Sequence, residues 1–265
     1  MATKIRIGAM ISGGGTNLQA IIDACETDAI DGRIVFVGSD KDGVRGLERA
    51  RTHNIDTFVV DYADIIRTYR ETPEKINSPS DFDLDELRLK QSLFGPHADS
   101  RKVAFFLTTR AIAEKKLLEL MAAYDVDLLV LAGFMRNLTP YFIDRFNPDP
   151  DHPRIMNIHP ALLPAFPGVD GYGDTYRYGC RVGGCTVHFI DYGEDSGPII
   201  GQKSFSIADD DSLDDIKKRG LELEWQLYPA CVQLFAQNRL QVVTMTHTLD
   251  NNRTYQRKIV KILKD

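Results

Sequence analysis

Asn157 and His159 stand two residues apart in Arg154-Ile155-Met156-Asn157-Ile158-His159, an apolar run that passes into Pro160-Ala161-Leu162-Leu163-Pro164-Ala165-Phe166-Pro167-Gly168. Side chains two apart on a strand share a face, so this spacing predicts an amide and an imidazole emerging together from a strand end. An amide N–H can donate to an oxygen that gains negative charge, and an imidazole can carry a proton near neutral pH. The pair suits attack on a carbonyl carbon. Proline fixes φ and has no N–H to satisfy, so Pro160, Pro164 and Pro167 hold the loop stiff without sheet partners. A histidine after a strand is just as readily an ordinary structural residue, and the difference rests on what else reaches it.

The loop Asp191-Tyr192-Gly193-Glu194-Asp195-Ser196-Gly197-Pro198 offers three carboxylates. Aspartate is common in turns. A carboxylate beside an imidazole, however, favours its charged form and is expected to raise its pKa. His188, inside the apolar run Cys185 to Ile190, reads as a packed, supporting residue.

The elements that must position these groups alternate along the chain. Lys4 to Ile11 is strand-like, Ser12-Gly13-Gly14-Gly15-Thr16-Asn17 is a glycine-rich turn, and Leu18, Ile21, Ile22 and Cys25 follow at helical spacing. Such a turn and the helix N-terminus behind it attract an anion such as phosphate. A dinucleotide fingerprint is the competing reading, since Gly13-x-Gly15 precedes the strand Ile34 to Val37 and Asp40, but Leu18 occupies the third glycine position. Further on come a helix over 43–53, a strand over 57–60, and a long helix over 103–124. Its Leu117, Leu118 and Met121 are spaced for burial, and Arg110, Lys115 and Lys116 are available to solvent or to a phosphate, with solvent the expected partner. A strand over 127–132 leads into Gly133-Phe134-Met135-Arg136-Asn137-Leu138. A short helix is expected within 169–184 and a strand over 198–207. Ser212 caps a helix that runs through Trp225 to about residue 237, and a terminal strand or tail follows Arg239.

This alternation predicts an α/β fold, an open, mostly parallel sheet with helices on both faces and right-handed crossovers. Ligands in such folds bind beyond the carboxyl ends of the strands, so the glycine-rich turn, the 133–138 block and Asn157/His159 should converge. From 62 to 102 the periodicity loosens over far more than the ~12–15 residues of a bare loop. We read that stretch as a partly helical insertion in a single domain spanning 1–265: a surface decoration, a lid or a subunit contact.

With 265 residues, 43% hydrophobic, the chain can bury a substantial core, and a net charge of -6 disfavours nucleic acid as partner. Cys25, Cys180, Cys185 and Cys231 form no CxxC pair, so free thiols are expected and no metal. No run approaches a membrane span and the N-terminal residues lack an apolar signal core, so the expected location is cytoplasmic.

Four blocks in order, Ser12 to Gln19, Leu131 to Arg136, Asn157 to Gly168 and Asp195 to Pro198, resemble the phosphoribosylglycinamide formyltransferases. The resemblance implies a Rossmann-like formyltransferase fold, with 10-formyltetrahydrofolate as co-substrate and phosphoribosylglycinamide as acceptor in purine biosynthesis. It implies a catalytic set of Asn157, His159 and Asp195, with Asp195 rather than Asp191 or Glu194 beside the imidazole. Gly15, Thr16 and Asn17 would hold the substrate phosphate and Glu224 the glycinamide. Met135, Arg136, Asn137 and Leu138, together with Asn157, Asp191 and Asp195, would hold the folate. Only small-molecule partners are implied, for a monomer or a homodimer. The chain departs from its relatives at Asp170-Gly171-Tyr172-Gly173, where they commonly carry histidines, and its 62–102 segment is longer than theirs. Three relatives are disfavoured: folate deformylases have an extra N-terminal domain, methionyl-tRNA formyltransferases an extra C-terminal domain, and sugar N-formyltransferases Arg-Gly where this chain has Pro167-Gly168. A formyltransferase for another amine, such as a nucleotide-linked amino sugar, and a non-catalytic folate or nucleotide binder are the alternative functions.

Overall fold

The computed structural model describes residues 4–249 and 253–264. Its main sheet has the strand order β3-β2-β1-β4-β5-β6-β7. The strands are β1 (Ile5–Ile11), β2 (Gly32–Ser39), β3 (Asp56–Val59), β4 (Leu128–Leu131), β5 (Ile155–His159), β6 (Val182–Phe189) and β7 (Ile199–Ser206). The first five are parallel; β6 runs antiparallel to β5, and β7 antiparallel to β6. The expected open, mostly parallel sheet is therefore present.

Strand alternation divides the core between the two faces. Ile7, Ala9, Ile11, Leu128, Val130, Met156 and Ile158 pack against α1 (Thr16–Glu26), α2 (Arg45–Thr52) and α8 (Leu213–Ala236). Met10, Phe36, Leu129, Leu131 and Ile155 face α3 (Tyr62–Glu71), α5 (Ser100–Met121) and α6 (Pro140–Phe146). Both faces are apolar at the centre of the sheet, which is why its strands read as continuous apolar runs rather than as alternating ones.

Residues 62–102 are neither a bare loop nor a loose decoration. They contain α3, a 3₁₀ turn at Pro73–Lys75 and α4 (Leu84–Lys90), and Leu87 packs with Val103, Leu107, Ala111 and Tyr141 in a small core of its own. This layer covers the side of α5 that faces away from the sheet. The expectation that Arg110 lies in solvent fails: it is 8% exposed, with its guanidinium 5.2 Å from the Tyr62 ring and 4.7 Å from the Phe106 ring. Arg110 stands seven and eleven residues before Leu117 and Met121, on the same inward stripe of α5, so helical periodicity places it inside and only its charge suggests solvent.

Two interactions fix the strand ends. The backbone N–H of Ser12 donates to Gly133 O at 3.0 Å, and Met135 N–H donates to Ser12 Oγ at 2.8 Å, tying the glycine-rich turn to the 133–138 loop. On the other face the buried Tyr228 hydroxyl lies 3.2 Å from Leu131 O and 2.9 Å from Met156 O, pinning α8 across β4 and β5. Ser212 caps α8 in a reciprocal capping box with Asp215, as its position predicts. After α8 the chain forms a hairpin, β8 (Leu240–Thr248) with β9 (Thr254–Ile262), where a single strand or tail is the expectation from sequence.

Phe36 is fully buried on the second face against Phe58 and Tyr124, at ring distances of 5.0 and 5.1 Å. Phe36→Ala should therefore cost about 3–5 kcal/mol, read as a lowered midpoint in denaturant titration at unchanged slope.

Candidate active site

His159 ends β5 with its side chain only 3% exposed, and acceptors face both ring nitrogens: Asp195 Oδ2 lies 3.1 Å from Nδ1, and Phe166 O lies 2.8 Å from Nε2. A neutral imidazole can donate from only one nitrogen, whereas the imidazolium donates from both. Burial pulls the His159 pKa down, Asp195 and the Phe166 carbonyl pull it up, and burial prevails. The raised pKa expected from sequence is thus reversed, because desolvation outweighs the partner carboxylate. The ring rests neutral with one lone pair free, and taking up a proton completes its second hydrogen bond. That is the behaviour of a general base.

Asp195 is set up as its charged partner. Burial works to raise its pKa, but His188, the His159 charge and the Gly168 N–H outweigh burial and leave it below the usual carboxylate range. The Gly168 N–H donates to Oδ2 at 2.8 Å, so the proline-rich loop closes onto the same carboxylate. Asp195 and Phe166 both have left-handed backbone, φ 48° and 55°, which costs a non-glycine residue on the order of 1–3 kcal/mol. Both strained residues contact His159.

Asn157 shares the His159 face, as strand spacing predicts. Opposite it on β6 lies His188, fully buried, which engages Phe189 O at 2.9 Å through Nδ1 and turns Nε2 toward both Asn157 Nδ2 at 3.3 Å and Asp195 Oδ1 at 3.5 Å. His188 is a support for Asn157, in line with its reading from sequence. The remaining contact of the Asn157 amide, to Asp195 Oδ1, is long at 3.5 Å, so its N–H₂ can turn to a better acceptor.

These groups open on a cavity of about 460 Å³, lined by Asn157, His159, Asp195 and Asp191, by Met135 to Leu138, and by Asn17, Tyr172 and Glu224. All the residues expected around the folate line it. Of those expected at the substrate phosphate, Asn17 lines it, while Gly15 and Thr16 sit beside it at the start of α1. Gly15 has φ 68°, and a Cβ there would lie 2.8 Å from the Gly46 Cα, so the turn requires glycine for conformation and for packing. Asp40 is 2% exposed and ion-paired with Arg136 at 2.6 Å, which removes it from the ribose-binding role a dinucleotide site would need.

Residues 5–232 match the family described as formyl transferase. The chain belongs to that family. It is 32% identical to the phosphoribosylglycinamide formyltransferase of Escherichia coli (strain K12), over 94% of this chain and 95% of that protein. It is 33% identical to the protein of that name from Mycobacterium tuberculosis (strain CDC 1551 / Oshkosh), over 92% and 91%. The solved structure of glycinamide ribonucleotide transformylase 1 from Symbiobacterium toebii superposes with a TM-score of 0.72 at 34% identity, covering 100% of this chain and 96% of that one.

Arg110, which the sequence reading gives to solvent ahead of a phosphate, lines the cavity. Its guanidinium borders the cavity, and its buried Nε and Nη1 have no protein partner. Burial foremost, opposed in part by Tyr62 and Glu114, leaves its pKa lowered, and nearby Arg136 adds repulsion. Arginine nevertheless remains charged in proteins. The signal available in sequence was a cation within Phe105-Phe106-Leu107-Thr108-Thr109-Arg110-Ala111-Ile112-Ala113, a window too apolar for an exposed helix face. One helical turn later, Glu114 is buried and pushed up to about 7 by that burial, held by the Thr139 N–H at 2.7 Å and hydroxyl at 2.5 Å. Among the described residues no helix is long and apolar enough to cross a membrane, and no group of three or more His, Cys, Asp or Glu side chains is arranged to hold a metal.

A lowered His159 pKa keeps the base form present to lower pH, so the acid limb of kcat/KM should fall below the ordinary histidine value of about 6.5. Because the Asp195 charge raises that pKa, Asp195→Asn should shift the limb further down while reducing the plateau. A pH–rate profile of both proteins checks this, and an unmoved limb would separate Asp195 from His159.

Proposed function

We infer that the chain transfers the formyl group of 10-formyltetrahydrofolate to the primary amine of phosphoribosylglycinamide, a step of purine biosynthesis. One observation carries this reading: the acceptor-side pair Asn17 and Glu224 and the folate-side loop 135–138 line a single cavity, with Asn157, His159 and Asp195 on the same wall. Two small molecules can meet there without a covalent enzyme intermediate.

The substrate amine is the nucleophile, so no activated serine or cysteine is needed. As the amine attacks the formyl carbon, the Asn157 N–H₂ donates to the oxygen that becomes an oxyanion. His159 takes the proton released from the amine and returns it to the departing folate nitrogen, so no net proton is lost. Asp195 orients the ring and balances the imidazolium formed midway. Glu224 holds the glycinamide, joined by Asn17, which is expected at the phosphate from sequence but is bound to Glu224 through its amide at 2.6 Å; the start of α1 at Gly15 and Thr16 receives the phosphate, and Met135, Arg136, Asn137 and Leu138 grip the pterin with Asp191 nearby. The orphaned guanidinium of Arg110, next to Arg136, is available to a carboxylate on the folate tail. Both fit a co-substrate that is anionic at one end.

The assay is loss of 10-formyltetrahydrofolate with and without phosphoribosylglycinamide. Consumption that requires the amine supports the reading, consumption without it means hydrolysis, and binding without turnover means a non-catalytic protein. Asn157→Ala should lower kcat by about 10²–10³ and His159→Ala by about 10²–10⁴, both with unchanged folding transitions. Arg110→Gln should raise the KM for the folate about tenfold or more and leave kcat within a small factor, since it removes a charged contact remote from the reacting atoms. An unaltered folate KM would take Arg110 out of the site.

A further inference from the structure

Glu224 is a carboxylate 4% exposed inside the protein, and donors from two other elements occupy both of its oxygens. The Tyr172 hydroxyl donates to Oε1 at 2.6 Å and Asn17 Nδ2 donates to Oε2 at 2.6 Å. Tyr172 belongs to the short helix α7 (Gly171–Arg177), and Asn17 lies in the first turn of α1. Three segments distant in sequence thus meet at one buried charge.

The Tyr172 ring reaches that position only because residue 220 has no side chain. A Cβ at Gly220 would lie 2.2 Å from the Tyr172 Cζ, 2.3 Å from its hydroxyl oxygen and 2.5 Å from Cε1. Gly220 is one helical turn before Glu224, so the phenol lies across α8 and meets the carboxylate along the same helix face. Tyr172 is itself 6% exposed. The pair of a large residue at 172 and none at 220 is a matched contact.

The consequence falls on Asn17. A carboxylate can only accept, so the Asn17 amide must present its N–H₂ to Oε2, and its Oδ1 has to point elsewhere. Oδ1 is buried without a protein partner, and Asn17 lines the cavity. A buried unpaired acceptor costs about 1–3 kcal/mol until a donor reaches it. The partner it fits is an N–H of an amine or amide, the group that the acceptor substrate brings.

We propose that Tyr172 is a positioning residue of the acceptor site: by holding Glu224 it sets the Asn17 amide so that Oδ1 and the carboxylate together receive the N–H groups of the glycinamide. This rests on the functional reading above. A tyrosine that merely filled space would need no hydroxyl. The lost donor also weakens the hold on the charged form of Glu224, whose pKa burial already raises, so removing it should narrow acceptor binding at acid pH.

Tyr172→Phe keeps the ring and deletes the donor. Steady-state kinetics should show the KM for phosphoribosylglycinamide raised about tenfold, with kcat within a small factor and the KM for 10-formyltetrahydrofolate unchanged. In the Glu224→Gln background the same substitution should have little further effect, because the group it positions is gone. Gly220→Ala is the second route: alanine favours a helix over glycine, yet here it drives the phenol off Glu224 and should reproduce the acceptor defect. The proposal is overturned if Tyr172→Phe leaves the acceptor KM unchanged, or if its effect is as large with Glu224→Gln as without it. Failure of the wild-type protein to formylate phosphoribosylglycinamide would instead bring down the functional reading, and this proposal with it.

Discussion

The whole site hangs on one desolvated contact, the imidazole of His159 against the carboxylate of Asp195. Removing both from water is costly, and it is offset only where every remaining lone pair and proton finds a partner. The structure meets that requirement fully only once the ring is protonated, when one N–H donates to Asp195 and the other to the Phe166 carbonyl, while the Gly168 N–H of the same proline-rich loop serves the carboxylate. Its prolines gain their meaning here. Two non-glycine residues in left-handed conformation can persist only where their surroundings leave no alternative, and both are held against this contact.

Direction reversal in the sheet makes the contact possible. β4 and β5 run parallel, so their carboxyl ends bring the 133–138 loop and His159 to one edge; β6 then returns antiparallel and places His188 opposite Asn157. Because β6 runs the opposite way, the loop after it would lie at the far edge but for the reach of residues 190–198, which cross back beside the strand end to deliver Asp195. The constraint is topological before it is chemical. The same edge receives the glycine-rich turn through the Ser12 contacts to Gly133 and Met135, at the point where the strand order reverses about β1.

The polar atoms left without partners are informative as a set. Native proteins satisfy nearly all buried polar groups, and three of the six such atoms left without a partner among the described residues, Asn17 Oδ1 and Arg110 Nε and Nη1, belong to residues that line one cavity. One is an acceptor near Glu224 and the others are donors near Arg136. On the proposed function the cavity is polarised, one end toward an N–H-bearing molecule and the other toward an anion, with Asn157, His159 and Asp195 on its wall.

Much of this was legible in the order of residues. The alternation of elements, the amide and imidazole on one strand face, the capped last helix and the four ordered motifs are local properties, set by strand period, helix period and turn chemistry. Those properties determined the fold class and the family. What the chain alone could not settle is what lies across from what. Arg110 reads as solvent-facing because a cation is assigned to water by its charge, although it stands on the stripe of Leu117 and Met121, and only the packed structure shows the rings of Tyr62 and Phe106 that cover it. The His159 pKa reads as raised because the carboxylate is visible in sequence and the depth of burial is not. Tyr172, Gly220, Glu224 and Asn17 meet only after three helices have packed. Desolvation and contact between distant segments depend on the summed positions of the whole chain, and only the tertiary structure decides them.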